Sequence, residues 1–232
     1  MAENPLAGYV TRMQQWDYRL GINGVKRMQA AYNSALVAQG AFSAYWTEDL
    51  RAVGGWPDAI GEDIVLTWTM MATRGIVAYE PLALAFTVVP ERLGRLMDQR
   101  SRWARGMFEG LRGHPPLRQP RILAKCVAGV DYLIPLIDIG IIFFWVPGVI
   151  LLAFGYPLIV GWWSMLLIPI TLAVFGFLRR WQERNVFRRF AIHHEPDARG
   201  FTGYLFLYPS LMSAASLRGY GQYISGAARR WR

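Results

Sequence analysis

The sequence predicts an α/β domain over residues 1–117, followed by α-helical transmembrane segments over residues 118–232. In the first part, apolar residues recur at helical spacing between short strand-like runs. In the second part, long and almost uncharged apolar stretches are flanked by arginines. The hydrophobic fraction of 53% also exceeds what a soluble core needs. The composition therefore indicates a membrane protein.

The charge balance is strongly basic, with 25 lysines and arginines against 16 aspartates and glutamates. Much of the excess is arginine beside the apolar stretches, which is typical of cytoplasmic loops at a membrane. No soluble segment has a basic face interleaved with stacking aromatics, so we expect no nucleic-acid partner. The single cysteine, Cys126, excludes an internal disulfide framework and a multi-cysteine metal site. The first eight residues lack the pattern of a cleavable signal peptide, so we expect internal spans to drive membrane insertion.

Helices interrupted by turns are predicted for the first 60 residues. Apolar residues at helical spacing predict two helical pieces with a bend over residues 9–38, lying either on a membrane surface or on a soluble domain. A small-residue turn follows at Gly40, where a glycine lets a ligand or another strand approach closely. A short helix then begins at Thr47, and we attribute its first-turn acids, Glu48 and Asp49, to the helix dipole.

A helix, two strands and a longer helix are predicted next. Gly61-Glu62-Asp63 starts a helix that ends near Thr73. Residues 76–79 and 83–89 have the composition of two short strands. A helical period returns at Glu91 and continues for about five turns.

Two membrane helices are predicted at residues 136–154 and 157–178, because a span needs about 20 predominantly apolar residues. The tight connection between them predicts an antiparallel hairpin. Arginines in residues 179–189 place the following loop, and the domain before the hairpin, in the cytoplasm. A third, shorter apolar helix is predicted at residues 203–217, and the side on which the chain ends stays open. The adjacent His193 and His194 lack the spacing of a tetrahedral metal site, so we interpret them as part of a solvated loop.

The acidic pair Glu62-Asp63 is a candidate for acid-base chemistry. A carboxylate at a helix N-terminus faces a loop, where it can accept a proton from an incoming hydroxyl. For the pair taken alone, simple capping of the helix is the alternative interpretation.

Gln99, Arg102 and Trp103 form a second candidate set. Offsets of three and four residues place them on one helical face. The set suits a phosphorylated sugar, because arginine pairs bidentately with phosphate oxygens and an aromatic plane packs on a sugar ring. Taken alone, the same residues also fit a basic interfacial helix with a snorkelling tryptophan.

Five motifs in this order resemble those of the processive family 2 glycosyltransferases, the membrane synthases of cellulose, hyaluronan, chitin oligomers and poly-N-acetylglucosamine. The sequence is similar in particular to the poly-N-acetylglucosamine synthases. Ordered matches before membrane helices are more specific than any one motif, and we expect the resemblance to cover nearly the whole chain. The matching residues are Gly40-Ala41-Phe42-Ser43, Val53-Gly54-Gly55-Trp56, Gly61-Glu62-Asp63, Tyr79-Glu80-Pro81, and Gln99-Arg100-Ser101-Arg102-Trp103 for the family's Gln-X-X-Arg-Trp.

The resemblance implies that residues 1–117 are the C-terminal portion of a GT-A-type α/β catalytic domain. It makes Asp63 the base that deprotonates the acceptor hydroxyl, with Glu62 beside it in the family's Thr-Glu-Asp motif. The implied reaction is inverting transfer from a UDP-sugar, with Mg²⁺ or Mn²⁺ on the pyrophosphate in the complete enzyme. The residues that it assigns to substrate binding are Gln99 and Arg102 on the diphosphate side, Trp103 at the acceptor sugar, and Gly40.

The sequence departs from the family pattern in two ways. Gly61 stands where the family has a threonine, while the literal Thr47-Glu48-Asp49 falls in a non-catalytic helix. The sequence also contains no Asp-X-Asp, the family's motif for the metal and the nucleotide. We therefore expect no metal site in this chain, and interpret it as the C-terminal half of a synthase whose other half carries Asp-X-Asp. Alone, the chain is expected to be inactive.

The leading hypothesis is a membrane-bound inverting glycosyltransferase fragment or subunit. It would transfer a sugar from a nucleotide-sugar to a growing β-linked polysaccharide or glycolipid. The expected location is the inner or plasma membrane, with several spans and the catalytic portion in the cytoplasm. The alternative is a non-catalytic membrane scaffold or channel element derived from such an enzyme. A small transporter is less supported, because few charges lie within the predicted spans.

Overall fold

The computed structural model describes residues 1–30, 35, 37–73, 75–80, 83–115, 118–120, 122–130, 132–190 and 197–227. These residues are mainly helical. The α-helices are α1 (Tyr9–Trp16), α2 (Asn23–Ala30), α3 (Thr47–Ala52), α4 (Glu62–Ala72), α5 (Leu93–Gly113), α6 (Ile122–Val130), α7 (Ile134–Gly140), α8 (Val146–Ala153), α9 (Leu167–Asn185), α10 (Ala198–Phe206) and α11 (Tyr208–Ile224). Shorter π-helical segments are Asp17–Ile22 and Ile141–Trp145, and 3-10 turns are Trp162–Leu166 and Phe187–Phe190.

The chain forms two compact units, and each combines segments from both sides of residue 117. The first unit comprises Met1–Gly24, Pro81–Leu93 and Ile139–Leu211, and the second comprises Val25–Glu80, Gly94–Asp138 and Met212–Arg232.

In the first unit, α1 packs against α10. The rings of Trp16 and Phe201 meet edge to face at 5.0 Å, and Arg12 forms an ion pair of 3.1 Å with Asp197. The predicted bend after α1 is a π-helical turn that contains Arg19. Arg19 is 5% exposed, and its guanidinium lies over the rings of Trp16 and Phe187, at 5.2 and 5.3 Å from their centres, so two aromatic rings flank the buried cation.

The predicted strands at 76–79 and 83–89 do not form regular strands in the described part of the chain. Thr87 donates its N–H to the Met1 carbonyl at 2.9 Å, and Glu3 donates to the Thr87 carbonyl at 2.9 Å. This pairing is an isolated parallel bridge between Ala2 and Thr87. The composition of these segments favours extended backbone, but a strand also needs a neighbouring strand of similar length. The predicted strand at 83–89 is not confirmed, because the paired segment around Ala2 is only a few residues long.

In the second unit, α4 and α5 form the core around Trp68, Met71 and Leu111. Helix α11 packs on another side of α5. The Ser101 hydroxyl donates to the Ala215 carbonyl at 2.9 Å, and the rings of Phe108 and Tyr220 lie 4.6 Å apart. Helix α5 is therefore held from two sides.

Among the residues that the structure describes, two helical stretches are long and apolar enough to cross a membrane. They are Ile134–Ala153, of 20 residues, and Trp162–Asn185, of 24 residues. The first agrees with the predicted span at 136–154, whereas the second begins and ends later than the predicted 157–178. The late start follows from the connection after Gly155, which extends to the 3-10 turn at Trp162.

The single helix predicted at residues 203–217 differs from the structure. The chain there forms α10 and α11, and α10 ends at Phe206, with Leu207 as its C-cap, shortly before Pro209. Proline cannot donate the backbone hydrogen bond that would continue α10, which accounts for the break. The predicted solvated loop at His193 and His194 lies outside the described residues.

Candidate functional site

The acidic pair lies in the first turn of α4, as the sequence predicts. Gly61 occupies the N-cap position and has no side chain that could bond the helix end. Glu62 and Asp63 are the acidic residues of the first turn. Both side chains are partly exposed. An exposed carboxylate at a helix N-terminus is accessible to a substrate hydroxyl.

Two backbone amides orient the Asp63 carboxylate. Ile64 donates its N–H to Oδ1 at 2.9 Å, and Gly40 donates its N–H to Oδ2 at 3.3 Å. A Cβ atom on Gly40 would lie 3.5 Å from Glu62 Oε1. The turn at Gly40 therefore lies directly against both carboxylates, and two of the predicted motifs meet here.

Thr67 ties the segment before Gly40 to α4. Its hydroxyl donates to the Asp63 carbonyl at 2.6 Å and accepts the Ala38 N–H at 2.9 Å. Thr67 is fully buried. Because both bonds are shielded from water, they fix the backbone of residues 37–40 relative to Asp63.

A glycine pair brings the N-terminus of α4 onto α5. A Cβ atom on Gly61 would lie 2.5 Å from the Gly106 Cα, a distance that real side chains do not reach. Ile60 also donates its N–H to Glu109 Oε2 at 3.0 Å. The departure from the family's threonine thus has a physical reason, since a larger residue at position 61 would collide with α5.

Gln99, Arg102 and Trp103 all lie on α5, and they differ in exposure. Gln99 and Arg102 are partly buried, whereas Trp103 is 41% exposed. The side-chain oxygen of Gln99 is buried without a hydrogen-bond partner among the described residues. Buried polar atoms are normally paired, so this oxygen can still accept a hydrogen bond from another group.

The Arg100 side chain packs against Trp103, which helical spacing did not predict. Its guanidinium lies 4.0 Å from the centre of the Trp103 ring, and the residue is only 8% exposed. A cation over an indole stabilises the orientation of that ring. Arg105 is also buried, and it donates to the Ala227 carbonyl at 2.8 Å, so it ties the residue that follows the α11 turn to α5.

Sequence reasoning missed Lys26 on α2. Its side chain is nearly buried, and its ammonium group donates to the Val37 carbonyl. The same ammonium is close enough to Asp63 for the carboxylate to favour its charged form. Helical spacing placed this lysine on a polar surface, and no local signal in the sequence identifies its partners.

The residues described here do not fit the Mg²⁺ or Mn²⁺ that the resemblance implies. Within the described ranges, no three of the histidine, cysteine, aspartate and glutamate side chains come together as metal ligands. Glu62 and Asp63 are two carboxylates on adjacent residues, and divalent cations need more oxygen ligands than such a pair offers.

Comparisons with known proteins agree with the motifs. The family described as "Glycosyl transferase family group 2" matches residues 4–178. The chain is 36% identical over 101 residues to the poly-beta-1,6-N-acetyl-D-glucosamine synthase of Staphylococcus epidermidis and to that of Staphylococcus aureus strain COL. Each alignment covers 43% of this chain and 24% of the relative, so the chain matches about a quarter of the relatives' length. No solved structure matches the chain significantly.

Proposed function

The chain belongs to glycosyl transferase family group 2, and on this premise we propose that it carries the acceptor side of a membrane-bound inverting glycosyltransferase. Its reaction would transfer a sugar from a nucleotide-sugar to a growing β-linked polysaccharide or glycolipid. The synthases to which it is similar are named for the polysaccharide that they make. The observation that most supports the proposal is the contact between Gly61 and Gly106, which joins the acidic turn to the helix of Gln99, Arg102 and Trp103.

In the proposed mechanism, Asp63 is the general base. Its Oδ2 accepts the longer of the two backbone hydrogen bonds, at 3.3 Å from Gly40, so this oxygen is the less tightly held. We assign Oδ2 to the acceptor hydroxyl. The carboxylate takes the hydroxyl proton while the acceptor oxygen attacks the anomeric carbon of the donor. The bond from that carbon to the phosphate oxygen breaks, and the nucleoside diphosphate leaves with the electron pair.

The helix α5 would hold the two substrates on either side of the reacting bond. We assign Arg102 and Gln99 to the diphosphate, because a guanidinium and an amide supply the donors that phosphate oxygens accept. Trp103 would stack on the acceptor sugar through the part of its ring that Arg100 leaves exposed. A divalent cation, when bound, would neutralise the pyrophosphate, and its ligands would come from outside the described residues.

We propose that the nucleotide is bound by a part of the enzyme that carries Asp-X-Asp and lies outside this sequence. The support is that this sequence contains no Asp-X-Asp and that its match covers 24% of the relatives. In a GT-A-type arrangement, an extended segment such as residues 76–79 would join a sheet that this part completes. On this hypothesis the chain alone does not transfer sugar.

A membrane location is proposed from the two long apolar helices. In the most apolar windows of Ile134–Ala153 and Trp162–Asn185, 17% and 0% of the residues are buried within the protein. Exposed apolar surface of this extent is unfavourable in water and favourable in lipid. The arginines in the last turns of the second helix and just after it would lie on the cytoplasmic side, which makes the acidic turn cytoplasmic as well.

The function is tested by changing Asp63→Asn in the complete enzyme, formed by co-expression with the part that carries Asp-X-Asp. We expect sugar transfer from labelled nucleotide-sugars to fall by roughly 10² to 10⁴, the usual contribution of a general base. Asp49→Asn is the matched control, because Asp49 belongs to the literal Thr-Glu-Asp sequence, is exposed, and lies in the first turn of α3.

Full turnover in the Asp63→Asn enzyme would exclude this residue as the base. If the co-expressed wild type transfers no sugar and the co-expressed complex binds no UDP, the non-catalytic scaffold or channel element becomes the better interpretation.

A further inference from the structure

Lys26 is a buried cation beside the candidate base. The residue is 9% exposed, and its ammonium group donates to the Val37 carbonyl. A buried lysine is costly because the charged form loses its hydration. Such groups are frequent at functional sites, where the charge serves a neighbouring residue.

A short path of hydrogen bonds connects Lys26 to the Asp63 carboxylate. Lys26 holds the carbonyl of Val37, and the next residue, Ala38, donates its N–H to Thr67 at 2.9 Å. Two residues further on, Gly40 donates its N–H to Asp63 Oδ2 at 3.3 Å. Lys26 therefore anchors one end of residues 37–40, and the other end contacts the proposed base.

The two charged groups also act on each other directly. Burial lowers the pKa of Lys26 to about 8, and the Asp63 carboxylate works in the opposite direction. Beyond residue 40, Tyr45 faces Asp63 and Glu62, and burial first and then these two carboxylates raise its pKa, so its phenol stays neutral. Beside Lys26 on α2, Arg27 lies close enough to Tyr79 to interact with it electrostatically. Asp63 is thus the anion that acts on the Lys26 ammonium.

We propose that Lys26 is a positioning residue for Asp63, holding residues 37–40 in place and supplying a positive charge beside the carboxylate that orients it. The catalytic part of this inference rests on the proposed function. The structural part, the anchoring of residues 37–40, does not. The two parts are separated by two measurements.

The first measurement is hydrogen exchange of the whole chain in detergent, without substrates. In Lys26→Met we expect the amides of Ala38 and Gly40 to exchange about tenfold faster, since their segment loses an anchor. Lys26→Arg keeps a donor and should stay close to the wild type. Lys125→Met is the matched control, because Lys125 is the other lysine of the sequence. Unchanged exchange of both amides in Lys26→Met would overturn the anchoring.

The second measurement is the pH dependence of kcat in the complete enzyme. In the wild type we expect kcat to fall above about pH 8 as Lys26 loses its proton. Lys26→Arg should move that decline to higher pH, because arginine stays protonated. Lys26→Met should lower kcat about tenfold or more through misplacement of the base, with no such decline.

If the role of Lys26 were purely structural, replacing it with arginine would not shift the pH at which kcat declines. Wild-type kcat in Lys26→Met, or the same alkaline decline in all variants, would overturn the catalytic part. Absence of transfer in the wild type would refute the proposed function instead, and hydrogen exchange would still decide the anchoring of residues 37–40.

Discussion

The burial of Lys26 makes stability depend on pH in a definite direction. The pKa is lowered from 10.5 to about 8 in the folded protein, first by burial. Between these two values the unfolded chain binds more protons than the folded chain, so the free energy of unfolding rises with pH. Below pH 8 both states are protonated, and the full cost of the buried charge is present. The site thus contains a residue that weakens the fold at neutral pH.

We expect Lys26→Met to remove this dependence. The free energy of unfolding of the variant minus that of the wild type should be about 3 kcal/mol larger at pH 7 than at pH 11, because one pKa unit corresponds to about 1.4 kcal/mol. The unpaired Val37 carbonyl adds a cost that is the same at every pH. Denaturant unfolding of the detergent-solubilised chain from pH 7 to 11 measures the difference. Lys125→Met should run parallel to the wild type, and a parallel curve for Lys26→Met would contradict the buried charge.

At the scale of elements, the contact between α4 and α5 sets the geometry of the site. Gly61 and Gly106 bring the two backbones together, and Gly110 lies under Ile64, where a Cβ atom would meet its Cγ2 at 2.9 Å. The acidic turn belongs to α4, and the arginine-tryptophan motif belongs to α5. Any enlargement at these glycines therefore separates the two halves of the candidate site.

We expect Gly106→Ala to destabilise the protein by about 1–3 kcal/mol, the usual cost of overpacking. The new methyl group would lie 2.6 Å from the Gly61 Cα. Gly94→Ala on the same helix is the matched control, because nothing lies within 4 Å of its new Cβ. This control should be neutral or stabilising by about 0.5–1 kcal/mol, since alanine favours helix more than glycine does. Equal thermal midpoints for both variants would refute the close contact.

At the scale of the whole molecule, the two apolar helices support the proposed membrane location. Trp162–Asn185 has none of its most apolar window buried within the protein. Val174 lies within this helix and is 50% exposed. In the proposed membrane location, this exposed apolar surface would lie in lipid.

We expect the wild-type chain to stay with membranes after an alkaline carbonate wash. Val174→Arg should reduce the retained fraction, because an arginine at the centre of a span costs roughly 2.5–3.5 kcal/mol of insertion free energy. Thr202→Arg provides the control, since Thr202 is exposed on α10, outside both apolar stretches. Recovery of the wild type in the soluble fraction would contradict the membrane location.

Motifs predicted much of the candidate site, but they did not predict the buried residues that support it. Glu62 and Asp63 begin a helix as predicted, and Gln99, Arg102 and Trp103 share one. The buried partners of these residues follow no local pattern. Arg100 over Trp103 is one example, since a polar helix position does not reveal which arginine packs inward.

By itself, the sequence determined the local elements: where α4 begins, that α5 is a long helix, and which stretches are apolar enough to span a bilayer. These properties depend on residues within a few turns of one another, and their spacing is visible in one dimension. Only the tertiary structure decided which elements meet. The contact of Gly61 with Gly106 and the bond from Lys26 to Val37 depend on packing. Packing joins residues distant in the chain, and local periodicity carries no information about their pairing.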